Sequence, residues 1–72
     1  MKALKKAIRV IGTQAELARL LGIHPQQISQ WLNGGRPIPP EHAASIERLT
    51  GRVVTAADLR PDLAKIFAVP AA

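Results

Sequence analysis

Apolar residues recur along residues 2–11 at the spacing of one helix face, since successive residues turn by about 100°. The apolar positions are Leu4, Ala7, Ile8 and Ile11, and the basic positions on the opposite side are Lys2, Lys5, Lys6 and Arg9. Gly12 follows and can end the helix in the left-handed conformation, which residues with a side chain rarely adopt. The pattern predicts a first helix that packs by one face and turns a basic stripe outward. That stripe is either a solvated surface or part of a field that attracts a polyanion.

A second helix is predicted to begin after Thr13. Thr13 is a suitable N-cap, and Glu16 three residues later completes a capping box. The helix runs to about Leu21, and Gly22 permits the positive φ of a tight turn. The residues expected to face the core are Leu17, Ala18, Leu21 and, after the turn, Ile23. The small side chain at position 18 allows a crossing helix to come close.

A third helix starts near His24, with Pro25 at the first helical position, where its missing N–H costs nothing. Its apolar side consists of Ile28, Trp31 and Leu32, and its polar side of Gln26, Gln27, Ser29, Gln30 and Asn33. Residues 26–33 carry no charge. A merely solvated helix face is the alternative interpretation, but such faces usually carry Glu and Lys. The uncharged amides favour a surface that offers donors and acceptors to base edges of DNA.

The remaining pattern predicts a connector and two further helices. Residues 36–40 (RPIPP) form a stiff extended connector, because a residue before proline avoids the helical region. Pro40 opens a fourth helix that Gly51 closes, and its inward residues are Ala43, Ile46 and Leu49. Thr55 caps the fifth helix with Asp58 as partner, and Pro61 is expected to break and restart it. An apolar set near the C-terminus comprises Leu59, Leu63, Ile66 and Phe67.

The length of 72 residues allows one domain, predicted over residues 1–69 with a frayed tail at residues 70–72. There is no cysteine, which excludes a disulfide framework and a thiolate metal site. No apolar run is long enough to span a bilayer, and the N-terminus lacks the pattern of a signal peptide. We therefore expect a cytoplasmic protein. A net charge of +5 favours a polyanionic partner, and the scarcity of aromatics disfavours a protein that stacks single-stranded bases.

Residues 13–34 resemble the helix-turn-helix of Cro and cI-type phage repressors. The resemblance rests on Gln14, Ala18, Gly22, Ile28 and Trp31, and on the runs QAELA (14–18) and WLNG (31–34). The segment VVTAADLRPD (53–62) is similar to the Cro-like YdaS group, whose members are antitoxins or repressors. The resemblance implies an all-α, five-helix, lambda-repressor-like fold in which the last helix is split at Pro61. It implies a transcriptional regulator, most simply a repressor that occupies a pseudo-palindromic operator on double-stranded DNA.

Site residues follow from the same resemblance. The expected base contacts are Gln26 and Gln30, with Ser29 and, through a thymine methyl group, Pro25. The expected phosphate contacts are Gln14, His24, Gln27, Asn33 and Arg36. Pro25 departs from the pattern, because many members of the family have a polar base reader there.

Pairing of two copies would place two recognition helices about 34 Å apart, one turn of duplex. Leu63, Ile66 and Phe67 are the candidates for the dimer surface, and packing beneath the first helix is the alternative for them. We expect a homodimer on DNA and allow for a toxin partner. A protein-interaction module, such as an antitoxin that neutralises a partner by direct contact, is the rival function.

Catalysis finds no support in the sequence. It has no Gly-rich phosphate loop, no HExxH and no nucleophile elbow. His42 has no metal-ligand spacing around it and is interpreted as an ordinary surface or boundary residue of the fourth helix. We expect no enzyme activity, no metal and no cofactor.

Overall fold

Local signals in the sequence set the helix boundaries. The computed structural model describes residues 2–67, apart from the side chain of Phe67. Its helices are α1 (Lys2–Ile11), α2 (Gln14–Leu21), α3 (Pro25–Leu32), α4 (Pro40–Leu49), α5 (Ala56–Leu59), a 3₁₀ turn (Pro61–Leu63) and α6 (Ala64–Phe67). The all-α prediction is confirmed, and the break at Pro61 occurs where it was expected. Among these described helices, none is both long and apolar enough to cross a membrane.

Side-chain caps begin α2 and α5. The Thr13 hydroxyl accepts the N–H of Glu16 at 3.1 Å. The Glu16 carboxylate bonds to Arg19 instead of returning to the cap, so only half of the predicted capping box forms. At α5 the box is complete: Thr55 Oγ1 accepts the N–H of Asp58 at 3.1 Å, and Asp58 Oδ2 accepts the N–H of Thr55 at 3.0 Å.

The core lies where the inward faces of these helices meet. Its fully buried large side chains are Leu4, Leu17, Ile28, Ile38, Ile46, Val54 and Leu59. Trp31 and the small residues Ala7, Ala18, Ala43 and Ala56 complete it. The extended connector is therefore not only a spacer, because Ile38 inserts into the core from it.

The predicted inward position of Leu49 is wrong, since 37% of that residue is exposed. A spacing of three residues drifts by about 60° per step, so Leu49 points about 120° away from Ala43. Thr50 takes the buried place instead. Its hydroxyl lies 3.2 Å from the carbonyl oxygens of Glu47 and Val54, which compete for its one hydrogen, and it accepts the N–H of Val54 at 3.2 Å. A buried hydroxyl with these partners costs little to desolvate.

The C-terminal segment is fastened to the connector by Arg60. Its Nη1 donates to the carbonyl of Ile38 at 2.6 Å, while Nε and Nη2 donate to the carboxylate of Asp62 at 3.0 and 2.8 Å. The side chain of Arg60 is only 16% exposed. The predicted domain end at residue 69 and the predicted frayed tail at residues 70–72 lie outside the described residues.

Candidate nucleic-acid interface

The outward face of α3 is built by the anchors beneath it. Ile28 is fully buried and Trp31 is 5% exposed, so the helix is fixed with the opposite side toward solvent. Gln26 and Gln30, the two predicted base readers, are exposed on that side. Their side chains make no hydrogen bond to the residues that the structure describes, which leaves both amides free to bind another molecule.

The turn before α3 sets how closely it packs on α2. Gly22 adopts a left-handed conformation (φ 71°, ψ 31°), which a side chain would disfavour. The N–H of Ile23 then donates to the carbonyl of Ala18 at 3.0 Å. Ala18 is buried, and its small side chain allows the two helices to approach each other.

Gln14 joins α2 to α3 at one flank of this face. Its Nε2 donates to Ser29 Oγ at 2.7 Å and to the carbonyl of Pro25 at 3.0 Å. Gln14 and Ser29 are both half-buried. These two residues, predicted separately as a phosphate contact and a base contact, thus bind each other in the free protein. Pro25 itself is exposed at the first position of the helix.

The start of α3 is capped by an amide of its own first turn. The N–H of His24 donates to Gln27 Oε1 at 3.3 Å, and both residues are exposed. This bond occupies the amide oxygen of Gln27 and leaves its NH₂ group for an acceptor such as a phosphate.

The connector after α3 holds the remaining predicted contacts. Asn33 and Arg36 are exposed. Gly34 takes a positive φ of 74°, and the N–H of Gly35 donates to the carbonyl of Gln30 at 3.0 Å. The buried side chain of Ile38 and the Arg60 bond to its carbonyl fix the end of this connector.

A cleft of about 410 Å³ opens between α3, the connector and α4. It is lined by Gln27, Gln30, Trp31, Arg36, Pro37, Pro39 and His42. His42 was interpreted from the sequence as an ordinary surface or boundary residue. It is half-buried, and its ring centroid lies 5.7 Å from that of Trp31 with the planes at 40°. Spacing along one helix cannot reveal this meeting of two helices.

The helix α3 itself carries no charged side chain, so the charges of the protein lie on other elements. The basic residues of α1 (Lys2, Lys5, Lys6 and Arg9) are exposed. On α2, the hydrogen bond from Arg19 lowers the pKa of the Glu16 carboxyl, and the two side chains form an ion pair within that helix. Between residues 2 and 67 no group of His, Asp and Glu side chains is placed to hold a metal ion.

The candidate dimer surface is only partly accessible. Ile66 is 65% exposed, whereas Leu63 is half-buried. The side chain of Phe67, the third candidate, lies outside the described part of the chain.

Together, α2, the Gly22 turn and α3 form a helix-turn-helix motif, and the all-α domain that contains it is of the Cro type. A family model described as "Bacterial toxin YdaS" matches residues 4–66. The chain belongs to this family, which confirms the resemblance found in its sequence.

Two further comparisons agree with this assignment. The "Putative transcriptional regulator YdaS" of Escherichia coli (strain K12) is 44% identical over 59 residues, which is 82% of this chain and 60% of that protein. The chain thus spans about 60% of the length of that relative. The solved structure of the Cro protein from "putative prophage element Xfaso 1" in Xylella fastidiosa strain Ann-1 is similar, with a TM-score of 0.78 and 37% identity. The match covers 99% of this chain and 100% of that one.

Proposed function

We propose that this protein is a transcriptional regulator that binds double-stranded DNA in a sequence-specific way and represses by occupying an operator. The observation that carries the proposal is the uncharged amide face of α3, which is directed outward by Ile28 and Trp31. The names of the two relatives, a transcriptional regulator and a Cro protein, support it. Neither name is that of an enzyme. Such a regulator acts in the cytoplasm, where its DNA is.

Base recognition is assigned to Gln26 and Gln30. A glutamine amide can donate to N7 and accept from the N6 amino group of adenine, and both side chains are exposed and without intramolecular partners among the described residues. Pro25 offers an apolar contact to a thymine methyl group. The Ser29 hydroxyl accepts a hydrogen bond from Gln14, and it can still donate its own hydrogen or accept a second bond.

Phosphate contacts are assigned near both ends of α3 and along one of its sides. Gln14 and His24 lie toward its start, and Asn33 and Arg36 follow its end. The NH₂ group of Gln27 is available on the flank that borders the cleft. Contacts of this kind fix the register of the protein on the duplex without reading its sequence.

We further propose that two copies bind together on a pseudo-palindromic site. One α3 reads only a few base pairs, so a single copy would discriminate weakly. The C-terminal residues Leu63, Ile66 and Phe67 are the proposed contact between copies, supported by the exposure of Ile66.

Selection of bound sites from a pool of random duplexes tests the proposal. Enrichment of one motif with two half-sites spaced by one turn of duplex is the expected result. Recovery of unenriched sequences, or no mobility shift with any duplex at low salt, would contradict it.

A protein partner is the second candidate function. The exposed Ile66 and the description of the family as a toxin favour it, because toxins and antitoxins act in pairs of proteins. The sequence resemblance implied the antitoxin role, whereas the family description names a toxin. Substitution of Ile66 by Ser separates the two functions: it should abolish binding to a protein partner and leave the affinity of one half-site for one copy unchanged.

A further inference from the structure

The turn that ends α3 contains the only asparagine of the chain, Asn33, followed by two glycines. Asn33 is exposed, and its side-chain amide makes no hydrogen bond to the residues that the structure describes. Gly34 adopts a positive φ of 74°, a conformation that favours glycine. A Cβ added at Gly34 would meet no atom within 4 Å, so the backbone conformation alone accounts for the glycine. The turn therefore needs glycine directly after Asn33, and the result is an exposed Asn–Gly pair.

An asparagine that precedes glycine can react with its own backbone. The Gly34 nitrogen attacks Cγ of Asn33, since glycine has no side chain to hinder the approach. A bond forms between these two atoms, the bond from Cγ to the side-chain nitrogen breaks, and ammonia leaves with the proton of the Gly34 N–H. Water then opens the cyclic imide at one of its two carbonyls. The product is an aspartate, or an isoaspartate whose main chain runs through Cβ.

We propose that Asn33 is a site of spontaneous deamidation and that this reaction weakens DNA binding. The effect on binding rests on the proposed function, whereas the chemistry does not depend on it. Asn33 is assigned to a phosphate contact, and the product carries a carboxylate at the same place, which a phosphate repels. The isoaspartate product also adds one atom to the main chain where α3 ends.

The folded turn opposes the reaction through the orientation of one peptide group. At the Asn33 ψ of −3°, the Gly34 nitrogen is aligned with the Asn33 nitrogen, whereas ring closure needs it beside Cβ. Rotation of this peptide breaks the hydrogen bond from the Gly34 N–H to the Trp31 carbonyl at 3.2 Å. It also disturbs the bond from the Gly35 N–H to the Gln30 carbonyl at 3.0 Å. Helix ends open locally at little cost, so the reaction proceeds from a minor state in which the last turn of α3 is open.

Intact-protein mass spectrometry tests the chemistry without DNA. The full chain is incubated in mildly alkaline buffer at physiological temperature, once folded and once unfolded in guanidinium chloride. In water labelled with heavy oxygen, the deamidated product gains one labelled atom. Asn33→Gln is the matched control, because it keeps an amide but has to close a larger and less favourable ring. No glutamine of the chain precedes a glycine, and circular dichroism verifies that the variant folds.

We expect the folded wild type to deamidate roughly ten- to a hundredfold more slowly than the unfolded chain. Asn33→Gln should remain unlabelled in both states over the same period. Equal rates for the folded and unfolded wild type would overturn the protection by the turn. No product from the folded protein after about ten half-times of the unfolded chain would overturn the site itself.

The effect on DNA is measured with Asn33→Asp, which reproduces the aspartate product. Its affinity for a labelled mixed-sequence duplex is determined by fluorescence anisotropy. Val53→Asp is the matched control, since it adds the same charge at an exposed position in the turn after α4. We expect Asn33→Asp to weaken binding roughly tenfold and Val53→Asp to weaken it much less. Wild-type protein aged by incubation should lose active molecules in proportion to its deamidated fraction.

The failure of this inference and that of the proposed function are distinguishable. If fresh wild type binds duplexes and Asn33→Asp weakens binding no more than Val53→Asp, the effect on binding is overturned while the proposed function stands. Aged, deamidated protein that keeps its full affinity would overturn it equally. If fresh wild type binds no duplex, the proposed function fails and the effect on binding fails with it. The mass measurements still decide whether Asn33 reacts.

Discussion

The side-chain amide of Gln14 donates to the hydroxyl of Ser29 at 2.7 Å, although the two residues are 15 positions apart. The same amide donates to the carbonyl of Pro25 at 3.0 Å. Both acceptors belong to α3, so one side chain from α2 fixes the rotation of α3 about its axis. The direction of the amide face thus depends on this pair as well as on the buried anchors.

Replacement of Gln14 by Ala should lower both stability and DNA affinity. The half-buried Gln14 amide makes two hydrogen bonds that are lost, and each contributes about 1 kcal/mol to the free energy of unfolding. Urea unfolding measures the first effect and anisotropy with a duplex the second. Gln26→Ala is the control: that side chain is exposed and makes no bond within residues 2–67, so stability should be unchanged while affinity falls. Unaltered stability of Gln14→Ala would contradict the role given to the pair.

Replacement of Gln30 by Ala should weaken binding to the selected operator by roughly 1–3 kcal/mol. The loss should be much smaller on random duplexes, because an adenine contact depends on sequence. The change should also relax the base preference at one position of each half-site. Equal weakening on operator and random DNA would remove Gln30 from the base-reading set.

Replacement of Arg36 by Ala should weaken binding to all duplexes alike. The exposed guanidinium is assigned to a phosphate, so its loss should reduce the slope of log K against log salt by about 1. Arg52→Ala offers a matched control, since it removes an exposed arginine from the turn after α4, beyond the lining of the cleft. A salt slope that Arg36→Ala leaves unchanged would show that no phosphate is bound there.

Replacement of Arg60 by Ala should destabilise the fold. The carbonyl of Ile38 loses a charged donor at 2.6 Å where the Arg60 side chain is only 16% exposed, and a partly buried acceptor left without its donor destabilises the folded state. Asp62→Asn is the control, because Asp62 is 61% exposed and an exposed ion pair adds little to stability. The midpoint of thermal unfolding measures both variants. A larger loss for Asp62→Asn would contradict the importance of the bond to Ile38.

Acid should destabilise the protein through two hydrogen-bonded carboxylates, Asp58 and Asp62. The N–H of Thr55 holds the pKa of Asp58 below its ordinary value, and Arg60 does the same for Asp62. A folded-state pKa below the unfolded value stabilises the fold above about pH 4 and ceases to do so as the pH falls through the folded value.

The free energy of unfolding should therefore decrease from about pH 4 downward. Asp58→Asn should flatten part of this decrease, as urea unfolding at neutral and acidic pH would reveal. An acid dependence identical to that of the wild type would exclude Asp58 as a source.

Much of the fold could be predicted from the sequence, because each helix boundary depends on residues that are close to it in the chain. Thr13, Pro40 and Thr55 each mark a helix start through groups within three residues. Gly22 marks the turn because glycine readily adopts the left-handed conformation that the turn requires. The error at Leu49 arose because a spacing of three is a poor guide to a helix face over two steps.

The site was less predictable, because its contacts join separate elements. Exposure of Gln26 and Gln30 follows from the period of α3 alone. The bond between Gln14 and Ser29, and the meeting of Trp31 with His42, depend on how helices cross. Residue spacing carries no information about such crossings.

Residues 25–32 carry no charge. Different residues should therefore control the rate at which the proposed complex forms and the rate at which it dissociates. Long-range attraction depends on net charge, so the association rate should follow the lysines and arginines outside α3 and fall steeply with ionic strength. The amides act only at contact, so they should govern how long the protein remains on a site. Search and residence could then be altered independently, the first by basic residues of α1 and the second by Gln30.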